Sequence, residues 1–346
     1  MTQRQVPRPR HLDHLLDDRR GYPVISTVGR NKDRASFGYI NEFRKLVLAA
    51  FDWCAVCGLP FGGAMRWQVI AGGAPALTGD QLEKGALFNE APVHEICMVY
   101  AANVCPHLSS PGHRMGDEYR AGQRRDGAIR MAGFARTVDV RAFRSGLQQE
   151  IYVLHFKQAD FIDEFSYSRP DELADRYAAL LAREEVPELT AAESGLVSLF
   201  NEHSDMGDTV TGAALMAGAS FAKHIRQVQG MDSFAKSGYY QWLAMHLLDL
   251  KKLAEFCEGT DDPASRLMAT WLLERHDDLP EVLATWRQAG LRLARSKGMA
   301  PPPPEFEGPG RTVAKNDPCP CGSGRRARRC HPAGVPEIHA RPEGQN

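Results

Sequence analysis

The chain has 346 residues, of which 43% are hydrophobic and 25% charged, the balance of an ordinary globular protein with room for two domains and a tail. Lys plus Arg (42) nearly cancels Asp plus Glu (43), so net charge selects no partner class and only local clusters can. The polar start, Met1 to Val24, lacks the apolar core of a signal peptide, and no apolar run approaches the ~18 residues of a membrane helix.

The expected compartment is therefore cytoplasmic. Thiols stay reduced there, and clustered cysteines read as ligands or catalysts rather than disulfides. The 8 cysteines are clustered. Cys54, Cys57, Cys97 and Cys105 fall in one region, Cys319, Cys321 and Cys330 in another, and Cys257 stands alone.

In chain order, residues 1–160 read as an α+β domain. Arg66–Ile70, Gly127–Phe134 and Glu150–Phe156 are strand candidates. Cys54-x-x-Cys57 followed by Gly58 has the form of a zinc knuckle, in which turn amides donate to sulfur. Pro92 opens a predicted helix that carries His94 and Cys97 in its first turn. At i and i+3 the two share a face, and the positive end of the helix dipole favours a thiolate there. A knuckle, a strand and a helix bringing two ligands is a treble-clef-like layout. The expected set is Cys54, Cys57, His94 and Cys97 around Zn²⁺, with Cys105 held in reserve as a substitute for His94.

Residues 168–298 read as an all-α helical domain. Asp171 follows Pro170 ahead of one helix. Thr190 and Glu193 form a capping-box pattern ahead of another, and Asp262 and Asp278 precede two more. The longest predicted helix runs from Asp232 to Glu258, with Leu243, Leu247, Leu250, Ala254 and Cys257 on one face and Gly259 as its stop. Trp242, Trp271 and Trp286 are assigned to the core. Residues 299–315 are a proline-rich, semi-rigid linker.

Residues 316–334 are too short to bury a hydrophobic core, so order there must come from elsewhere. Cys319-x-Cys321, then Cys330–His331, supplies thiolate and imidazole ligands for a second Zn²⁺, whose binding is coupled to folding. Pro318 and Pro320 stiffen the approach, and Gly322 to Gly324 permit a tight turn. Arg325, Arg326, Arg328 and Arg329 offset the formal −1 charge of a Zn²⁺ with three thiolates and one neutral imidazole.

The stretch Asn316–His331, "NDPCPCGSGRRARRCH", resembles the SEC-C motif, the zinc-binding tail of the bacterial preprotein-translocase ATPase. The resemblance implies Cys319, Cys321, Cys330 and His331 as ligands, with arginine where lysine is more usual. It also implies docking, because such tails contact export chaperones, ribosomes or acidic lipid in their hosts. Translocase activity is not implied, as the chain has no G-x-x-x-x-G-K-[ST] loop. Residues 10–160 also resemble an uncharacterised bacterial and phage family. The shared elements are Arg19–Val24 ("RRGYPV"), "CAVCG", "HEIC" and "CPHL", with His107 in place of an aromatic residue. That family implies a metal site and no activity.

Catalysis finds little support. A treble-clef nuclease of HNH type needs a general-base histidine before the helix, and no histidine lies between Cys57 and His94. There is no H-E-x-x-H, and a site with four protein ligands leaves no position for water. Acidic pairs at helix starts read as caps. The basic stretches around Arg120–Arg130 and Gly133–Arg141 read as solvated loops, or as a phosphate-contacting surface. The function expected is a zinc-binding adaptor without catalytic activity that docks a protein partner or the ribosome through its tail. Nucleic acid is a further expected partner class, and an HNH-like nuclease is the alternative.

Overall fold

A computed structural model of the chain describes residues 6–31, 34–70, 82, 84–109, 128–144, 152–202, 250–285 and 287, with residues 310–311, 326, 329 and 335–336 of the tail. It is a mixed α+β protein. The first hairpin pairs β1 (Val28–Asn31) with β2 (Arg34–Ile40) and leads into α1 (Glu42–Phe51). The central sheet is antiparallel, in the order β3 (Arg66–Ile70), β5 (Ile129–Arg144), β6 (Tyr152–Tyr167), β4 (Ala86–Phe88). Between β4 and β5 lie α2 (Glu95–Val104) and the short α3 (Pro106–Ser109). After β6 come α4 (Ala174–Ala182), α5 (Ala191–Glu202), α6 (Leu250–Gly259) and α7 (Pro263–Glu274). A two-residue ladder, β7 (Gly310–Arg311) with β8 (Val335–Pro336), brackets the tail cysteines in sequence.

The candidate Arg66–Ile70 is β3 as expected, and the other two are the beginnings of longer elements. β5 and β6 are 16 residues each, so Gly133–Arg141, read above as a basic loop, lies within a strand. Two features hide this strand from periodicity. The register slips at Gly133/Phe134 and at Thr137/Asp139, which turns side chains to the opposite face. Arg136 is also not a free phosphate ligand, since it pairs with Asp160 and Glu281 across the sheet and beyond it.

α1 is buried over Arg44–Phe51, and its end matters most for the site. Asp52 adopts φ 60°, the left-handed conformation usual for glycine after a helix. Trp53 N–H then donates to Leu48 O at 2.8 Å and Asp52 N–H to Ala49 O at 3.3 Å, a Schellman closure. The Arg66 guanidinium holds the Asp52 carboxylate, which stabilises an acidic residue in that unusual conformation. The chain reverses there and delivers Cys54.

A single apolar cluster joins residues of α1, the knuckle, the sheet, α2 and the later helices. Trp271 of α7 meets Phe51 of α1 at 4.9 Å between ring centroids. Two of the cap expectations hold, whereas Asp171 lies inside the short 3-10 turn Pro170–Leu173, whose N-cap is Arg169, and caps no helix. Thr190 and Glu193 exchange hydrogen bonds at 3.0 and 3.2 Å, and the Asp262 side chain accepts from Ser265 N–H at 2.8 Å. The long predicted helix is described only from Leu250, and it does stop at Gly259. Its buried residue is Leu253, which lies to one side of the face that Leu250, Ala254 and Cys257 were expected to share, and Leu250 is 45% exposed. Trp242 and Trp286 lie outside the described residues.

Candidate metal centre

Cys54 leaves the turn after α1 and opens a tight knuckle. Cys54 N–H donates to Leu59 O at 2.9 Å, and Gly58 N–H returns to Cys54 O at 2.8 Å. Gly58 has φ +70°, and a Cβ there would stand 2.5 Å from Ser26 Oγ, so both backbone conformation and space require glycine. Ala55 N–H donates to Pro92 O, and Trp67 and Val93 exchange backbone hydrogen bonds at 2.9 and 3.0 Å. These contacts bring the residues before α2 directly against the knuckle.

His94 is the N-cap of α2, one position earlier than the first turn expected above. Its side chain makes no capping hydrogen bond, and its Nδ1 instead faces Cys57 Sγ at 3.3 Å. Its backbone N–H donates to Cys54 Sγ at 3.3 Å, and Val56 N–H to the same sulfur at 3.4 Å. Glu95 follows at the positive end of the helix, held by Arg176 at 2.6 Å. Cys97 lies in the first turn. The ligand atoms of Cys54, Cys57, His94 and Cys97 all fall within 4.8 Å of one another, and all four residues are buried.

These residues fit a tetrahedral ion. Zn–S bonds of ~2.3 Å and Zn–N bonds of ~2.0–2.1 Å imply ligand separations of about 3.5–3.8 Å. The cluster reaches that spacing with small side-chain adjustments. Its electrostatics agree. Burial pushes the Cys57 and Cys97 thiols well up. Burial acts the same way on Cys54, but hydrogen bonds from Cys57 and Cys97 and the neighbouring His94 outweigh it and bring that thiol well down. One sulfur takes the negative charge at the expense of the others, and a divalent cation removes that competition.

Cys105 does not join the cluster. It is the C-cap of α2, and eight residues of helix rise about 12 Å. It shares a helix with Cys97 but lies beyond the reach of the same ion.

Sequence reasoning missed the residues that enclose the centre. The His11 ring lies 5.0 Å from the His94 ring, and Phe61 packs on His94 at 4.7 Å. His11 bonds Glu184 through Nδ1 at 2.7 Å and through its backbone N–H at 2.9 Å. His14 Nε2–H donates to Cys57 O at 2.8 Å. Burial lowers the pKa of His11, partly opposed by Glu184, and that of His14, partly opposed by its bond to Cys57. Burial also raises the Glu184 carboxyl, but the hydrogen bonds from His11 and Arg10 prevail and hold it below its ordinary value. The only hint in the sequence is the spacing His11-x-x-His14, which says nothing of Glu184.

Cys319, Cys321, Cys330 and His331 lie outside the described residues, so their arrangement is carried by sequence similarity. The SEC-C motif family matches residues 316–331.

Residues 316–331 are a SEC-C motif.

No curated protein and no solved structure matches the chain. No helix among the described residues is long and apolar enough to cross a membrane.

Proposed function

We propose that this chain is a zinc-binding adaptor with two closed structural metal sites. Cys54, Cys57, His94 and Cys97 hold one Zn²⁺ in a treble-clef-like domain. Cys319, Cys321, Cys330 and His331 of the SEC-C motif hold the other. The observation that carries this reading is the convergence of the first four ligand atoms within 4.8 Å in a buried site, with backbone N–H groups aimed at sulfur. The layout supports a treble clef: knuckle, then β3 bridged to Val93, then α2 with two of the four residues at its N-terminus. Four protein ligands leave no open position for substrate or water, which favours a structural over a catalytic ion.

SEC-C motifs typically bind zinc, and this one follows the proline-rich stretch 299–315 in the sequence. Its arginines suit an acidic protein surface or ribosomal RNA. The tail is thus a docking tab for a protein partner or the ribosome, in a cytoplasmic setting. Within it, zinc orders a segment that has too little apolar surface to order itself.

The reading predicts two zinc equivalents in the full chain and one after deletion of residues 299–346. Purified ribosomes should carry the full chain in sedimentation and lose it when Cys330→Ala disables the tail. Cleavage of DNA or RNA on addition of Mg²⁺ or Mn²⁺ would overturn the adaptor in favour of an HNH-like nuclease.

A further inference from the structure

The metal centre is enclosed by parts of the chain far from it in sequence. Glu184 follows α4, 173 residues from His11, yet its carboxylate is directed wholly inward. Its Oε1 accepts both the backbone N–H and the Nδ1–H of His11. The second oxygen lies 3.8 Å from Arg10 Nε, an ion pair, and the Arg10 guanidinium also donates to the Glu184 backbone carbonyl. The side chains of His11 and Glu184 are only 7% and 3% exposed. Burying a carboxylate and an imidazole is costly, and an apolar pair of similar volume would usually serve packing as well. The pair therefore has to be explained by what it touches.

It touches His94. The His11 ring meets the His94 ring at 5.0 Å with planes 67° apart, and Phe61 lies against His94 at 4.7 Å. The imidazole that faces Cys57 is thus gripped between two rings. Phe61 is fixed by the knuckle, since its N–H donates to Asp52 O at 3.0 Å. The His11 backbone is held in the 3-10 turn Arg10–Leu12, and among the described residues its ring has Glu184 as its hydrogen-bond partner. The two hydrogen bonds tie the turn that carries His11 to Glu184 and set the rotation of the His11 ring.

We propose that Glu184 and His11 form an outer clamp on the metal centre, holding His94 in its ligating position so that metal retention depends on the N-terminal segment and on the linker after α4. The clamp rests on the reading of the Cys54, Cys57, His94 and Cys97 cluster as a metal site. His11 and Glu184 are positioning residues: neither is a ligand. Partners that orient a ligating histidine typically change metal affinity by about 10–100-fold when removed.

The test is the rate of Zn²⁺ transfer to a chromogenic chelator at neutral pH, measured on the full chain carrying Cys330→Ala so that the tail site does not contribute. Glu184→Ala should release zinc about 10-fold faster or more. Glu184→Gln keeps an acceptor for both His11 N–H groups and should stay within about threefold of the parent. His11→Asn keeps a donor towards Glu184 but removes the ring from His94, and should release as fast as Glu184→Ala. It also serves if Glu184→Ala does not fold. The Co²⁺-loaded Glu184→Ala protein should show a shifted ligand-field spectrum, and Glu184→Gln a parental one. A core variant at a residue that bonds neither His11 nor Glu184, Trp271→Phe, controls for general loss of stability. Release at the parental rate in both Glu184→Ala and His11→Asn would overturn the clamp, and so would equally fast release from Trp271→Phe. A parent with no bound metal would instead overturn the reading of the centre itself.

Discussion

The backbone N–H of His94 donates to Cys54 Sγ at 3.3 Å, linking the residue that starts α2 to the residue that opens the knuckle 40 positions earlier. A helix N-terminus carries N–H groups with no helical acceptor, and a thiolate is a good partner for one of them. The helix and the knuckle therefore each complete the other. The buried Cys54, Cys57, His94 and Cys97 cluster is where the two halves of the N-terminal region are joined.

Cys54→Ser should release the first zinc and lower stability by more than about 4 kcal/mol, the range reached when a structural metal is lost. Structural zinc contributes on the order of 10–16 kcal/mol in small domains, so even a fraction exceeds the margin of most folds. Metal analysis and urea unfolding on the same sample check both points. Cys105→Ser, at a residue outside the cluster, should keep its metal.

Gly58→Ala should cost roughly 1–3 kcal/mol, since the site demands a left-handed backbone and has no room for Cβ. Ser26 Oγ cannot simply move aside, because it donates to Asn201 Oδ1 at 3.0 Å. Adding Ser26→Ala should relieve the clash but not the backbone strain. Urea titration of the two single variants and the double variant would measure that partial recovery as a coupling energy.

Trp271 is 1% exposed and packs on Phe51, so Trp271→Ala should lose about 3–5 kcal/mol. Trp271→Phe should cost clearly less. The indole Nε1 is buried with no hydrogen-bond partner among the described residues, so phenylalanine gives up volume but no hydrogen bond. Thermal unfolding of both variants tests the order.

His155 gives a pH dependence of definite sign. Burial, and next the charge of Lys45, lower its pKa below 6.5 in the folded chain. As pH falls through 6.5 the unfolded chain binds a proton first, so stability is full above 6.5 and declines towards the lower, folded-state pKa. His155→Gln should flatten that part of the stability profile between pH 7.5 and 5.5. A profile equally steep without the imidazole would contradict the assignment.

Legibility in the sequence divides by distance along the chain. The capping box at Thr190–Glu193 and the cap at Asp262 were readable because each is a contact over three residues. The CxxC knuckle was readable for the same reason. The full lengths of β5 and β6 were not, because two register slips break the alternation that marks a strand. That Leu253 is buried while Leu250 is exposed was not readable, since periodicity gives the period of a helix but not its rotation against neighbours.

By itself, the sequence determined which side chains can grip a metal and how the segments carrying them turn, since knuckles, caps and the SEC-C motif are short-range patterns. Only the tertiary structure decided that His94 rather than Cys105 closes the first site, and that His11 and Glu184 enclose it. The physical reason is that convergence across 40 or 173 residues depends on how a bulged sheet and its helices pack, and no local pattern records that packing.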